Sequence, residues 1–130
     1  MHKSDTIFDR ITINKLTTRC IIGINREERI HPQDVEIDIT LHTDIRRAAA
    51  EDDIAFALNY RDIKKAVLDM VEHSSFNLLE RLTEEVAAIA LQDPAVHHAD
   101  VTVAKVGALR YARDVAISIT RFREDSGGER

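Results

Sequence analysis

Apolar and polar residues alternate most cleanly over residues 35–41, where Val35, Ile37, Ile39 and Leu41 are separated by Glu36, Asp38 and Thr40. A period of two sends one set of side chains to a buried sheet face and the other set to the opposite face. Shorter runs of the same kind, rich in β-branched residues, occur at Ile11 and Ile13, at Val101 and Val103, and at Val115, Ile117 and Ile119. With Arg19 to Ile24 as a partner for the first run, the sheet is expected to have four or five strands. Between the early and late strands the period lengthens. Ile63, Ala66, Val67, Met70 and Val71, and then Leu78, Leu82, Val86 and Ile89, recur at helical spacing and predict two amphipathic helices. The second carries a start signal, Asn77 followed by Glu80 in the pattern of a capping box, and it must stop before Pro94.

Strands, two helices and strands again is the order of an α+β domain, with an antiparallel sheet and both helices on one face. The other face would carry Asp38, Thr40, Thr102, Ala104, Ala116, Ser118 and Thr120, all small or polar. Such a face suits a hydrated lumen better than a second dry layer. Long strands also leave unpaired edges, and pairing them between subunits into a closed ring is one protection. At 130 residues a single domain is expected, over residues 1–123, with 124–130 as a loose tail that has no apolar side chain to bury.

Composition narrows the function. The apolar share of 44% and charged share of 32% are ordinary for a soluble globular protein. No apolar run reaches the roughly 18 residues of a membrane span, and the N-terminus has no secretory signal, so the cytoplasm is the expected location. A formal charge of -5 argues against nucleic acid as a partner. The single cysteine, Cys20, allows no internal disulfide and sits in an apolar run, where a thiol acts as a small buried hydrophobe. Among six histidines there is no His-x-His and no pair at i, i+4, so no metal site is expected; with four glycines and no phosphate loop, ATP chemistry is not indicated.

Four polar segments could carry chemistry, each with a plain structural reading beside it. Gly23 to Gln33 is a polar loop between strands. Ala57-Leu58-Asn59-Tyr60-Arg61 opens the first helix, where Asn59 can cap and Tyr60 can pack. Asn77-Leu78-Leu79-Glu80 can simply close a capping box. Lys105-Val106-Gly107-Ala108-Leu109-Arg110-Tyr111-Ala112-Arg113 leaves one strand and enters the next, and a lysine there can be just a solvated strand end.

Taken in order, these segments resemble the dihydroneopterin aldolase family, which includes the closely related dihydroneopterin triphosphate 2′-epimerases. The resemblance runs from about Ile7 to Arg123. It rests on the Gly23-Ile24 loop with Glu28 and Gln33 at set distances, on Leu58-Asn59-Tyr60, on Asn77-Leu78-Leu79-Glu80, and on Lys105 followed by Gly107-Ala108-Leu109. It implies the tunnelling fold: a four-stranded antiparallel sheet with two helices on one face, subunits joined into a barrel-like tetrameric ring, and rings stacked as octamers. It also implies retro-aldol cleavage of the C1′–C2′ bond of 7,8-dihydroneopterin, to 6-hydroxymethyl-7,8-dihydropterin and glycolaldehyde for folate synthesis, with no metal, cofactor or lysine Schiff base.

The resemblance assigns roles residue by residue. Glu80 would accept paired hydrogen bonds from the guanidine-like edge of the pterin, completed by backbone groups near Leu79 and Leu58. Tyr60, entering from a neighbouring subunit, and Lys105 would move protons, with Glu28 and Gln33 orienting a water or hydroxyl. Val106 stands where many aldolases have proline. Leu109-Arg110-Tyr111-Ala112 and the Tyr60 segment lean towards the epimerase, whose triphosphate would favour cations such as Arg26, Arg29, Arg110 or Arg113, whereas Gly107-Ala108-Leu109 leans back towards the aldolase.

Overall fold

The computed structural model describes residues 8–123. The expected tail, 124–130, lies outside the described residues. Strands β1 (Asp9–Cys20), β2 (Gln33–Thr43), β3 (His98–Val106) and β4 (Asp114–Phe122) form one antiparallel sheet in the order β1-β2-β3-β4. A five-residue helix α1 (Arg26–Ile30) joins β1 to β2. Between β2 and β3 run α2 (Arg46–Glu51), a 3-10 turn at Ile54–Phe56, α3 (Tyr60–Glu72) and α4 (Leu79–Ala90).

The alternation in β2 places Val35, Ile37, Ile39 and Leu41 at 1% exposure or less. Ala99, Val101 and Val103 of β3 continue the same face. Against it pack Ile63, Val67 and Val71 of α3 and Leu82, Val86, Ala87 and Ala90 of α4. Each large side chain so buried contributes about 1.5 to 3 kcal/mol. Cys20 is part of this core, and burial pushes its thiol pKa up.

The opposite sheet face carries no helix, and its polar groups pair across strands. Thr102 Oγ1 meets Ser118 Oγ at 2.7 Å, and Thr120 Oγ1 donates to Asp100 Oδ1 at 2.6 Å. Ala104, between its register partners Glu36 and Ala116, is covered. No described helix is long and apolar enough to cross a membrane.

Three expectations need correction. Arg19 to Ile24 is not a separate strand: Ile11, Ile13 and Arg19 share one strand, broken by a bulge between Ile13 and Leu16. There Lys15 takes a positive φ of 56°, its N–H donating to Asp38 Oδ1 at 2.8 Å, so the side-chain phase is reset and one long strand reads as two. The segment from Gly23 to Gln33 is not only a loop, because it contains α1, too short for a hydrophobic period to show. Finally, Asn77 does not cap α4. Leu78 is the N-cap, in extended conformation and without a side-chain cap bond, while Leu79 is turned into the core. Glu80 is therefore the second helical residue, one position short of the box.

Candidate active site

The chain forms a cavity of about 490 Å³ at the end of the sheet where β2 begins and β3 ends, on the side of the helices. Its volume lies in the range of small-molecule sites. Lys105 enters from the end of β3, beside Val35 and Val115 in register, so it belongs to the core-side face where that face opens. The next glycine, Gly107, has a φ of 76°, and its N–H bonds to Arg113 O at 2.9 Å, which turns the chain back into β4.

Lys105 Nζ donates to Glu28 Oε2 at 3.0 Å. The two side chains are 16% and 22% exposed, so the pair is shielded but within reach of a ligand. Glu28 is the third residue of α1 and closes a capping box with Asn25. The firm half of that box is the Asn25 N–H donating to Glu28 Oε1 at 3.1 Å; the return contact to the Asn25 side chain is looser. The bond from Lys105, then that from Asn25, hold the Glu28 carboxyl below its ordinary pKa against the opposing effect of burial. Gln33 Nε2 lies 3.5 Å from Glu28 Oε2 and donates to Ile22 O at 2.6 Å, so Gln33 supports the pair from behind and does not line the cavity.

Gly23 makes this packing possible. Its φ of 127° suits glycine alone, and a Cβ there would stand 2.2 Å from Glu28 Oε1. The opposite wall is the start of α4, with Asn77, Leu78, Leu79 and Glu80. Glu80 is exposed and has no side-chain partner among the described residues. The N–H groups of Arg81 and Leu82 bond to Leu78 O, whereas those of Leu79 and Glu80 head the helix with no such bond, which leaves donors at this wall. Ile24, Ala108, Leu109, Val115 and Ile117 supply apolar walls that suit a flat ring.

This end of the molecule thus offers a carboxylate free to pair with a planar donor edge, opposite a lysine already engaged with a second carboxylate. The family model for dihydroneopterin aldolase matches residues 11–120. The chain belongs to the dihydroneopterin aldolase family. It is 42% identical over 114 residues to the dihydroneopterin triphosphate 2′-epimerase of Pseudomonas aeruginosa, covering 88% of this chain and 93% of that one. It is 34% identical over 113 residues to the dihydroneopterin aldolase of Escherichia coli strain K12, covering 87% and 93%. The solved structure of E. coli dihydroneopterin aldolase in complex with neopterin superposes with a TM-score of 0.83 at 34% identity, over 87% of this chain and 98% of that one.

Not every residue that resemblance to the dihydroneopterin aldolase family picks out reaches this cavity. Tyr60 and Leu58 line a separate cavity of about 90 Å³, with Thr43, Asp44, Ile45 and Phe56, at the far end of β2. Eleven residues of β2 lie between the two ends, a separation of roughly 30 Å at the rise of a strand. Asn59 caps α3, its side-chain oxygen accepting from the Asp62 N–H at 3.2 Å, and this projects Tyr60, which is 49% exposed. Leu58 is buried, and its carbonyl accepts the Tyr60 N–H at 3.0 Å. Arg110 stands exposed in the hairpin beside the cavity, with its guanidinium over the Tyr111 ring.

Two of the four arginines suggested for a triphosphate are otherwise engaged. Arg113 pairs with Glu36 and Asp114. Arg29 donates to the carbonyls of Gly23, Phe76 and Ser75. The reading of the sequence missed Arg29 as a structural link, and no local pattern marks it, because its acceptors are backbone groups up to 47 residues away. It also read Val115 and Ile117 as sheet core, since the period of two does not say where along a strand the helices end.

Proposed function

We propose that the protein cleaves the C1′–C2′ bond of 7,8-dihydroneopterin by a retro-aldol reaction, as a carbon-carbon lyase. The observation that carries this reading is the Lys105–Glu28 pair facing an unengaged Glu80 across one cavity. Glu80 binds the amino group and ring N–H of the pterin, which sets the side chain of the substrate towards Lys105. A base removes the 2′-hydroxyl proton, and C2′ becomes the aldehyde carbon of glycolaldehyde as the C1′–C2′ bond breaks. The electron pair of that bond forms C1′=C6, and the C6=N5 π pair moves to N5, which takes up a proton to give an enamine. Protonation at C1′ with loss of the N5 proton restores C6=N5 and gives the 6-hydroxymethyl product. Lys105, held as a donor by Glu28, and Tyr60 carry these transfers, and Gln33 keeps Glu28 in place.

Tyr60 can take part only from another copy of the chain, given its distance from Lys105. Exposed edges on β1 and β4, the uncovered polar sheet face and the two part-sites at opposite ends all favour a ring of subunits. A mixing experiment tests this. Lys105→Met and Tyr60→Phe chains, each impaired alone, should regain roughly a quarter of wild-type activity when co-assembled at random. No recovery in mixed oligomers would overturn the shared site.

A second reading has its own support. The relatives named dihydroneopterin triphosphate 2′-epimerase share 40–42% identity with the chain, against 32–34% for those named dihydroneopterin aldolase. An epimerase breaks the same bond and rejoins the fragments with C2′ inverted, and exposed Arg26 and Arg110 are the cations left for phosphate. Incubation with 7,8-dihydroneopterin and with its triphosphate, followed by chromatography of the products, separates the readings. Glycolaldehyde supports the lyase; an inverted triphosphate with no glycolaldehyde from either substrate supports the epimerase.

A further inference from the structure

Helix α1 has five residues and buries none of its side chains. An isolated helix of that length does not persist in water, so neither propensity nor apolar packing holds it in place. Its last residue, Ile30, and Ile24 just before its N-cap are 56% and 70% exposed, which removes them as anchors. Yet Glu28, on this helix, must meet Lys105, 77 positions along the chain.

The polar contacts of α1 point to one residue. Arg29 Nη1 donates to Gly23 O and to Phe76 O, both at 3.0 Å, and Nη2 donates to Ser75 O at 2.8 Å. The first bond closes the loop that bears Glu28 on itself. The other two fasten it to the strand of chain that leads into α4, reinforced by the Gly23 N–H on Phe76 O at 3.3 Å. A planar guanidinium serves carbonyls in this way because its donors diverge in a fixed fork, which a lysine ammonium cannot reproduce. The far partner is rigid: Leu79, Leu82 and Val86 seat α4 in the core independently of Arg29. A loss of the fork therefore releases α1 and leaves Glu80 where it is.

We propose that Arg29 is the positioning residue that holds α1, and with it the Glu28 carboxylate, against Lys105. It rests on the catalytic reading of the Glu28–Lys105 pair given above. Arg29 has no contact with substrate in this role and is no phosphate ligand, although it stands among the cations near the cavity.

The full chain carrying Arg29→Met or Arg29→Lys tests this, with turnover of 7,8-dihydroneopterin and of its triphosphate, titration with neopterin, and amide hydrogen exchange. In Arg29→Met, kcat should fall roughly 10- to 100-fold on whichever substrate the wild type uses, the scale of a misplacement near 1 Å. Neopterin affinity should stay within about threefold of wild type, as for a surface residue that does not touch the ligand. Exchange over residues 26–30 should quicken at least about tenfold while that of α4 stays constant. Arg29→Lys, able to reach one carbonyl, should recover part of kcat. Unchanged kcat and exchange would overturn the proposal, as would a rise in KM confined to the triphosphate, which would make Arg29 a phosphate contact. If the wild type turns over neither substrate, the catalytic reading fails, and the exchange rates still decide whether Arg29 holds α1.

Discussion

Two segments of this chain have the same local pattern, Asn25 to Glu28 and Asn77 to Glu80, and the structure treats them differently. At the first, Asn25 is the N-cap and Glu28 turns back onto its N–H. At the second the helix begins one residue later, so Glu80 cannot reach back and projects from the first turn of α4. The two glutamates stand on opposite walls of one cavity. One is bound by Asn25, Lys105 and Gln33, and the other has no partner among the described residues. A shift of one residue at a helix start thus separates a carboxylate that orders the protein from one free to order a ligand.

Substitutions that confuse the two roles should have distinct signatures. Lys105→Met, which strips Glu28 of its cationic partner, should lower turnover by about 100- to 10,000-fold, the usual contribution of a proton-transfer group. Neopterin binding, followed by fluorescence titration, should largely survive. Glu80→Ala should do the reverse and cost about 2 kcal/mol of pterin affinity, the low end for a lost charged partner because Glu80 is exposed before the ligand arrives. A kcat defect in Glu80→Ala with unchanged affinity would dissolve the contrast.

Titration sharpens it further. The Glu28 pKa lies below its ordinary value, chiefly through Lys105. Since folding depresses it, the carboxylate adds stability above the ordinary glutamate pKa of about 4.3, and that stability is lost as pH falls through the lower folded value. Carbon-13 NMR of the Glu28 carboxyl should place its midpoint below about 4.3 in the wild type and nearer that value in Lys105→Met. A wild-type midpoint at or above it would mean that the ion pair does not form in solution.

The smallest effect separates the asparagines. Asn25→Ala should destabilise the fold by about 0.5 kcal/mol, the low end for a cap because the firmer bond uses its backbone. Asn77→Ala, with no box to lose, should cost less than Asn25→Ala in denaturant unfolding. Equal losses at both positions would show that the two segments cap alike.

Much of the fold was legible because its signals are local. The period of two in β2 and the apolar stripes of α3 and α4 arise from residues close in sequence whose burial is obligatory. The bulge at Lys15 was not legible, since the acceptor that stabilises it is Asp38, 23 residues away. Of the site, the residue types and their order were legible through the family resemblance, but their grouping was not. Glu28, Lys105, Glu80 and Leu79 meet because β2 and β3 pair in one register and α4 begins beside them. Tyr60 and Leu58, in a motif that reads as equally catalytic, are carried to the other end of the sheet.

By itself, then, the sequence determined which faces of β2, α3 and α4 are buried, which segments are strands or long helices, and which polar side chains the family resemblance singles out. Tertiary structure alone decided which of two identical Asn-x-x-Glu patterns becomes a cap, and it brought Lys105 to Glu28 across 77 positions of chain. Burial periodicity is set by the nearest few residues, whereas a cap's register and an ion pair's partner depend on where the core seats each helix.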